Sequence, residues 1–457
     1  MDKKHIQHLY WRASFGVKPR QLKKLSALSK KEVVDQLFDA SRVITPLYID
    51  LGSFKNLSKE AFIKDTKKER EFITESRELL KVLNKKWTHR LVNTKQSLRE
   101  RMTLFWANHF VCSDDFITYS LKFNNTLRTH ALGNFRDFIK AISKEAAMIR
   151  YLDLKQNRKS NPNENFAREL MELFTLGVGN YTEDDIKESA KAFTGYNHSF
   201  DGEFVFNEKK HDDDFKYFFG KSGRYKGDDI IDIILEQRAC ATFICRKIYA
   251  YFVNNKINER HVDEMVKQFF PNYNIEALMR FVFMSDWFYN EQHIGAKIKS
   301  PIELLVGMQR VTPFTFLKMT DFLRLQKHLG QTLLNPPNVA GWKGGRHWID
   351  SNTILLRLKL PSVILNDGQI STVEKGDFND AFKEYQDLHT KRKPLKTKVN
   401  WKAFNELYGS ISFQEIEQLL ITTKINVGTK AYLNNLSKVS RKSYCIQLMS
   451  LPEYQMC

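Results

Sequence analysis

Cysteine is scarce in this sequence and badly placed for a framework. Its five cysteines, Cys112, Cys240, Cys245, Cys445 and Cys457, are odd in number and lack Cys-x-x-Cys spacing. That argues against a disulfide scaffold or a cysteine-rich zinc site and leaves reduced, buried thiols as the expectation. Proline and glycine are also few, 11 and 20 in 457 residues, and no alternating apolar pattern recurs at regular spacing. The balance therefore moves from strands to helices. No long apolar run is present: the most apolar stretch, Ala239 to Val253, is interrupted by Arg246 and Lys247 and is too short to span a bilayer. The opening MDKKHIQHLYW has charge but no apolar core of a signal peptide, so a soluble, cytoplasmic protein is expected. A Gly-x-Ser-x-Gly elbow is missing, and Gly341-Trp-Lys-Gly-Gly345 lacks the spacing of a phosphate loop. Acidic residues are outnumbered, with a net charge of +19. The lysines are dispersed, apart from one denser run at Lys391-Arg-Lys393, and no helix-turn-helix, zinc-finger or aromatic-basic signature accompanies them, so nucleic acid is not the expected partner.

Apolar residues make up 42% and aromatics 13%, enough for a sizeable core. The expected fold class is all-α, mainly helical with irregular loops and at most a small hairpin near Phe204 to Phe206. The chain divides into an N-terminal helical region (1–95), a core helical domain (96–366), a polar linker or flexible insertion (367–400) and a C-terminal helical segment packing on the core (401–457). Helix starts are well marked. Ser300-Pro301 reads as an N-cap followed by a first-turn proline, and Thr182-Glu-Asp-Asp185 as a capping box.

The densest polar patterning lies between Asn157 and Tyr196. At about 100° per residue from Asn165, Phe166, Ala167, Leu170, Met171, Leu173 and Phe174 share one broad arc, and Asn165, Arg168, Glu169 and Glu172 the other. Gly177 and Gly179 then sit where a left-handed C-terminal cap favours glycine. Two carboxylates three residues apart on one helix can share a metal or divide acid and base roles. The same stripe also reads as a solvated face with an Arg168–Glu172 pair. His109 falls on the apolar face of a helix expected over Ser97 to Val111, as a core histidine or as an imidazole aimed at the stripe. His211-Asp-Asp-Asp214 is a turn or a hard-metal cluster, and the Pro- and Trp-rich stretch Leu334 to Trp348 is a stiff, non-helical loop.

Several motifs occur in one order: Arg12-Ala-Ser-Phe-Gly16, Phe105-Trp-Ala-Asn-His-Phe110, Asn163-Glu-Asn-Phe-Ala-Arg-Glu-Leu-Met-Glu-Leu-Phe-Thr-Leu-Gly177, Ala192-Phe-Thr-Gly195, His211-Asp212 with Lys216, and Asn335-Pro-Pro-Asn-Val-Ala-Gly-Trp342. Together they resemble the bacterial "domain of unknown function 1800" family from about Tyr10 to the Leu451-Pro-Glu-Tyr-Gln455 ending. The resemblance implies a helical protein and, as partner, a protein of the "domain of unknown function 1501" family. It also implies a departure at Ala107, where relatives carry a histidine, and this weakens a metal role at the neighbouring His109.

Residues and resemblance together give two expectations. In the first, the protein is a hydrolase-type enzyme working by metal assistance or acid/base chemistry. Its catalytic residues are Glu169, Glu172, His109, Arg168 and Asn165, its substrate contacts Lys216, Asn163 and Arg12, and its divalent-metal ligands His109, Glu169, Glu172, His211 and Asp212. In the second, it is a non-catalytic scaffold or assembly partner in which Arg168, among Glu164, Glu169 and Glu172, completes an internal ion-pair network.

Overall fold

Capping chemistry decides where most helices of this chain begin. In the computed structural model, which describes residues 1–52, 54, 66–366, 395–436 and 440–457, Ser29, Thr182 and Ser300 each close a reciprocal capping box, and Asn134, Asn258 and Asn274 accept from first-turn amides. The helices in the first half are α1 (Lys3–Ala13), α2 (Pro19–Leu25), α3 (Lys30–Asp39), α4 (Thr66–Asn93), α5 (Ser97–Ala107), α6 (Ile117–His130), α7 (Phe135–Ser143), α8 (Ala146–Tyr151), α9 (Asn165–Glu169) and α10 (Glu183–Ala192). The second half contributes α11 (Gly227–Glu236), α12 (Arg238–Phe252), α13 (Glu259–Phe269), α14 (Ile275–Met284), α15 (Pro301–Val311), α16 (Met319–His328) and α17 (Ser351–Leu365). Four more helices follow between Trp401 and Met449.

The fold is thus mainly helical, as the scarcity of strand patterning and breakers implies. Three antiparallel two-stranded ribbons are its only sheets among the described residues: β1 (Tyr196–His198) with β2 (Phe204–Phe206), β3 (Lys216–Phe218) with β4 (Lys221–Gly223), and β5 (Phe314–Phe316) with β6 (Thr397–Val399). The first is the expected hairpin. The expected 367–400 linker lies outside the described residues as far as 394, and its last residues supply β6. Among the described residues no helix is long and apolar enough to cross a membrane, and all five cysteines are free thiols.

One connected apolar core runs from Ile6 to Tyr454, with a smaller cluster around Trp87, Leu104 and Val306 where α4, α5 and α15 meet. Buried polar side chains are paired where these helices cross. Glu100 and Arg128, both fully buried, are joined by Arg128 Nε to Glu100 Oε1 at 2.6 Å, with Trp87 Nε1 donating to the other oxygen at 3.2 Å.

Candidate functional site

The helix expected from Ser97 to Val111 stops at Ala107, so His109 lies just beyond it. Asn108 explains the stop. Its side-chain amide donates to Trp342 O at 3.0 Å and its carbonyl oxygen accepts from Trp342 N at 2.7 Å, which ties the Pro- and Trp-rich loop to the end of α5. His109 then turns inward, 3% exposed, and is ringed by Trp106, Phe110, Phe135 and Phe174.

The central segment is not one regular helix either. After α9 the chain widens into a π-helical turn, Leu170–Thr175, closed by Leu176 N to Met171 O at 2.8 Å. Such turns recur at functional sites. Gly177 ends it with φ +78°, and a Cβ there would lie 2.9 Å from the Phe243 ring. At this end two carbonyls need partners from outside the helix. His109 Nε2 donates to Phe174 O at 3.0 Å, and Lys247 Nζ of α12 donates to Leu173 O at 2.8 Å and to His109 Nδ1 at 3.3 Å. Burial and the neighbouring Lys247 ammonium hold His109 well below the usual imidazole range, so the ring is neutral. Burial also pushes the Lys247 amine down to about 8.

Lys247 also lines a cleft of about 760 Å³ between the π turn and α12, together with Gly177, Asn180, Arg238, Thr242 and Arg246. Among the described residues no aspartate or glutamate lines it. Its character is cationic, with Lys247 Nζ 4.6 Å from the Phe243 ring centre. Lys247 is the residue that sequence reasoning missed. Its signal was the Arg246-Lys247 interruption of an otherwise apolar stretch, which had been used only to argue against a membrane span.

The sequence-predicted residues fall into four groups. On the polar stripe, Asn163 Oδ1 accepts from Asn165 N at 3.0 Å and opens α9, while Asn165 Nδ2 reaches Asp153 at 3.4 Å. Arg168 forks onto both oxygens of Glu183 at 2.9 Å and onto Glu164 at 3.1 Å, on a half-exposed surface. The expected Arg168–Glu172 pair is replaced by these contacts. Glu169 and Glu172 remain half-buried together. Burial, then the Glu172 charge, raises the Glu169 carboxyl above its ordinary range, and Tyr181 Oη donates to Glu172 at 3.2 Å.

His109 forms the second group, with Lys247 and the helix-end carbonyls. The loop after β2 forms the third. His211 is buried, its Nδ1 donating to Thr194 O at 2.9 Å, and Asp212 N donates to Thr194 Oγ1 at 2.8 Å. Lys216 is fully buried. Its Nζ donates to Asp212 O at 2.5 Å and Asp214 O at 2.9 Å, so it pins the loop, whereas the sequence placed it on substrate. Arg12 is the fourth, also fully buried, donating to His293 O at 2.7 Å beside Arg101 and Glu303. Burial opposes ionisation of Glu303, but Arg101 and Lys297 hold its carboxyl at about 2.

The expected metal set is therefore divided. Both nitrogens of His109 are engaged, His211 faces Thr194, and among the described residues no group of three or more His, Cys, Asp or Glu side chains is arranged to hold an ion. What the geometry brings together is a neutral buried imidazole, a half-buried amine with a lowered pKa, and a cationic cleft beside a π turn. No curated protein and no solved structure matches the chain. The family model described as "Protein of unknown function (DUF1800)" matches residues 8–456, and the chain belongs to that family.

Proposed function

We propose that this protein is an enzyme performing acid/base chemistry of the hydrolase type on an anionic substrate in the cleft beside Lys247. The observation that carries this reading is Lys247 itself: a half-buried amine at the wall of a ligand-sized cleft, its pKa lowered by burial to about 8, where proton transfer at neutral pH is efficient. Arg238 supplies charge for a carboxylate or phosphate, while the Arg246 guanidinium at the rim is paired with Glu259. His109 positions the amine through its Nδ1 lone pair, and its own proton is committed to Phe174 O. Glu169 and Glu172, on the same helical segment, are the second acid/base pair of this reading.

The test is a panel of carboxylate- and phosphate-bearing esters assayed with wild type, Lys247→Met and Glu169→Gln. Activity that rises through about pH 8 and drops roughly 10²–10⁴-fold in Lys247→Met is expected. Turnover that Lys247→Met retains, or a wild type inert across the panel, overturns the reading.

A second reading, a non-catalytic scaffold assembling with a "domain of unknown function 1501" protein, draws on one fact. The hydrogen bonds of His109 and Lys247 to helix-end carbonyls are a sufficient structural role for both. Co-purification of the two proteins, lost on mutating the exposed Arg168–Glu183 face, would support it.

A further inference from the structure

Where α4, α15, β5, β6 and α16 converge, the chain leaves a cleft of about 750 Å³ that shares no lining residue with the one beside Lys247. Its floor is aromatic and aliphatic: Phe314, Phe316, Met319, Phe322 and Trp401 line it. Phe316 packs against both Phe314 and Phe322, with ring centres 5.6 and 5.3 Å apart. This floor is assembled from segments distant in sequence, because β6 pairs Val399 with Phe314 and brings Trp401 alongside.

The rim has one sign of charge. Lys18, Lys85, Arg310, Lys398 and Lys402 line the cleft with His89, and among the described residues no aspartate or glutamate does. Arg310 is the best-placed of these. Its Nη1 donates to Val92 O at 3.1 Å and its Nη2 to Gly16 O at 3.2 Å, which fixes the guanidinium, while its buried Nε has no partner. An apolar trough ringed by cations, with no acidic side chain among the described lining residues, suits a ligand with an apolar body and an anionic head. A small hydrophilic anion would leave the aromatic floor uncovered, and a neutral lipid would leave the cations unpaired.

We infer that this cleft binds an anionic amphiphile of the long-chain fatty acid class, its acyl chain on the Phe314/Phe316/Phe322/Trp401 floor and its carboxylate among Arg310, Lys398 and Lys402. Lys398 and Lys402 are exposed, so they steer and hold the head group without supporting the core. His89, exposed and on the face of α4 that lines the cleft with Lys85, Thr88 and Val92, is the position at which bulk fills the trough without removing a packed side chain.

The experiment uses the full chain and the fluorescent fatty acid cis-parinaric acid, displaced in turn by oleate, oleyl alcohol and inorganic phosphate. Saturable 1:1 binding is expected, with displacement by oleate, roughly tenfold weaker displacement by oleyl alcohol and none by phosphate. Lys398→Glu/Lys402→Glu should weaken binding about tenfold, and His89→Trp should abolish it, with both variants keeping the wild-type melting temperature. Absence of saturable binding overturns the inference. So does equal competition by oleyl alcohol, or an affinity unchanged in both variants.

Discussion

Replacing Lys247 with methionine tests the half-buried amine directly, because the effect must change with pH in a calculable way. An ordinary lysine titrates near 10.5, and burial lowers Lys247 to about 8. Between those values the unfolded chain binds the proton that the native state has released, so wild-type stability rises with pH. The cost of keeping the ammonium buried is about 3.3 kcal/mol at pH 7, about 2 at pH 9 and about 0.8 at pH 10, from 1.36 kcal/mol per pKa unit. The methionine variant lacks this term. Its loss of packing and of neutral-amine hydrogen bonds is a constant offset that cancels between pH values. Wild type should therefore gain about 2.5 kcal/mol on the variant from pH 7 to pH 10. With an unfolding entropy of ~2.1 cal/mol/K per residue over 457 residues, 1 kcal/mol moves the melting temperature by about 1 °C. Paired calorimetric scans should then show the gap shifting by about 2–3 °C in favour of wild type. A gap constant to within about half a degree would mean that Nζ titrates like a solvated lysine, and the proposed role in proton transfer would go with it.

Three further outcomes are expected. Asn108→Ala removes both hydrogen bonds to the Trp342 backbone, at a cost of about 1–3 kcal/mol, and amide exchange at Trp342 should quicken; unchanged protection there would refute its anchoring role. Gly177→Ala combines a φ of +78° with a Cβ 2.9 Å from Phe243, so it should destabilise by at least about 1 kcal/mol and disturb the cleft, read as a lower melting temperature and altered reactivity of Lys247 toward an amine-selective reagent. Glu100→Ala strands the buried Arg128 at a cost of about 3–5 kcal/mol, whereas Glu100→Leu with Arg128→Met should recover most of it; a single-mutant melting shift below about 1 °C would contradict the pairing.

The helical architecture was legible because its signals are local. Thr182 and Ser300 announce the helix starts found at Glu183 and Pro301, and Gly177 announces an end. Misreadings came where tertiary bonds override periodicity. The apolar spacing of Phe135, Phe138, Ile139, Ile142 and Met148 reads as one helix, yet the chain breaks between Ser143 and Ala146. The same spacing ran a helix through His109, but Asn108 leaves α5 to hold the Trp342 backbone. The stripe was placed on the correct side of α9, with Phe166, Ala167 and Leu170 buried opposite it. Of its partners Glu164 was legible at helical spacing, but Glu183 was not, because Arg168 selects that residue, fifteen on, over the nearer Glu172. Lys247 was hidden for a similar reason: its role depends on His109 and Leu173, which are remote in sequence.

The side chains that make the motifs conspicuous share one property, which is that most of them bond to backbone. Asn108 holds Trp342, His109 holds Phe174, Asn157 donates to Ala190 O at 2.7 Å, Thr194 receives the amide of Asp212, and Lys216 ties the carbonyls of Asp212 and Asp214. Each sits where regular helix gives out and main-chain groups would otherwise be buried unpaired. Density of distinctive polar residues in a helical chain therefore marks the irregular joints, and it does not by itself mark the reacting groups. The joints matter to function because they set the ends of rigid elements, and a site held by element ends is positioned more precisely than one carried on loops. Here the joints after α5 and after the π turn converge on α12. The two side chains least explained by joint-keeping are Lys247, which extends beyond its capping role to the wall of a cationic cleft, and Glu169, whose raised carboxyl none of Arg168's bonds reaches. The acid/base chemistry proposed above falls to those two, and the surrounding motif residues are the frame that holds them still.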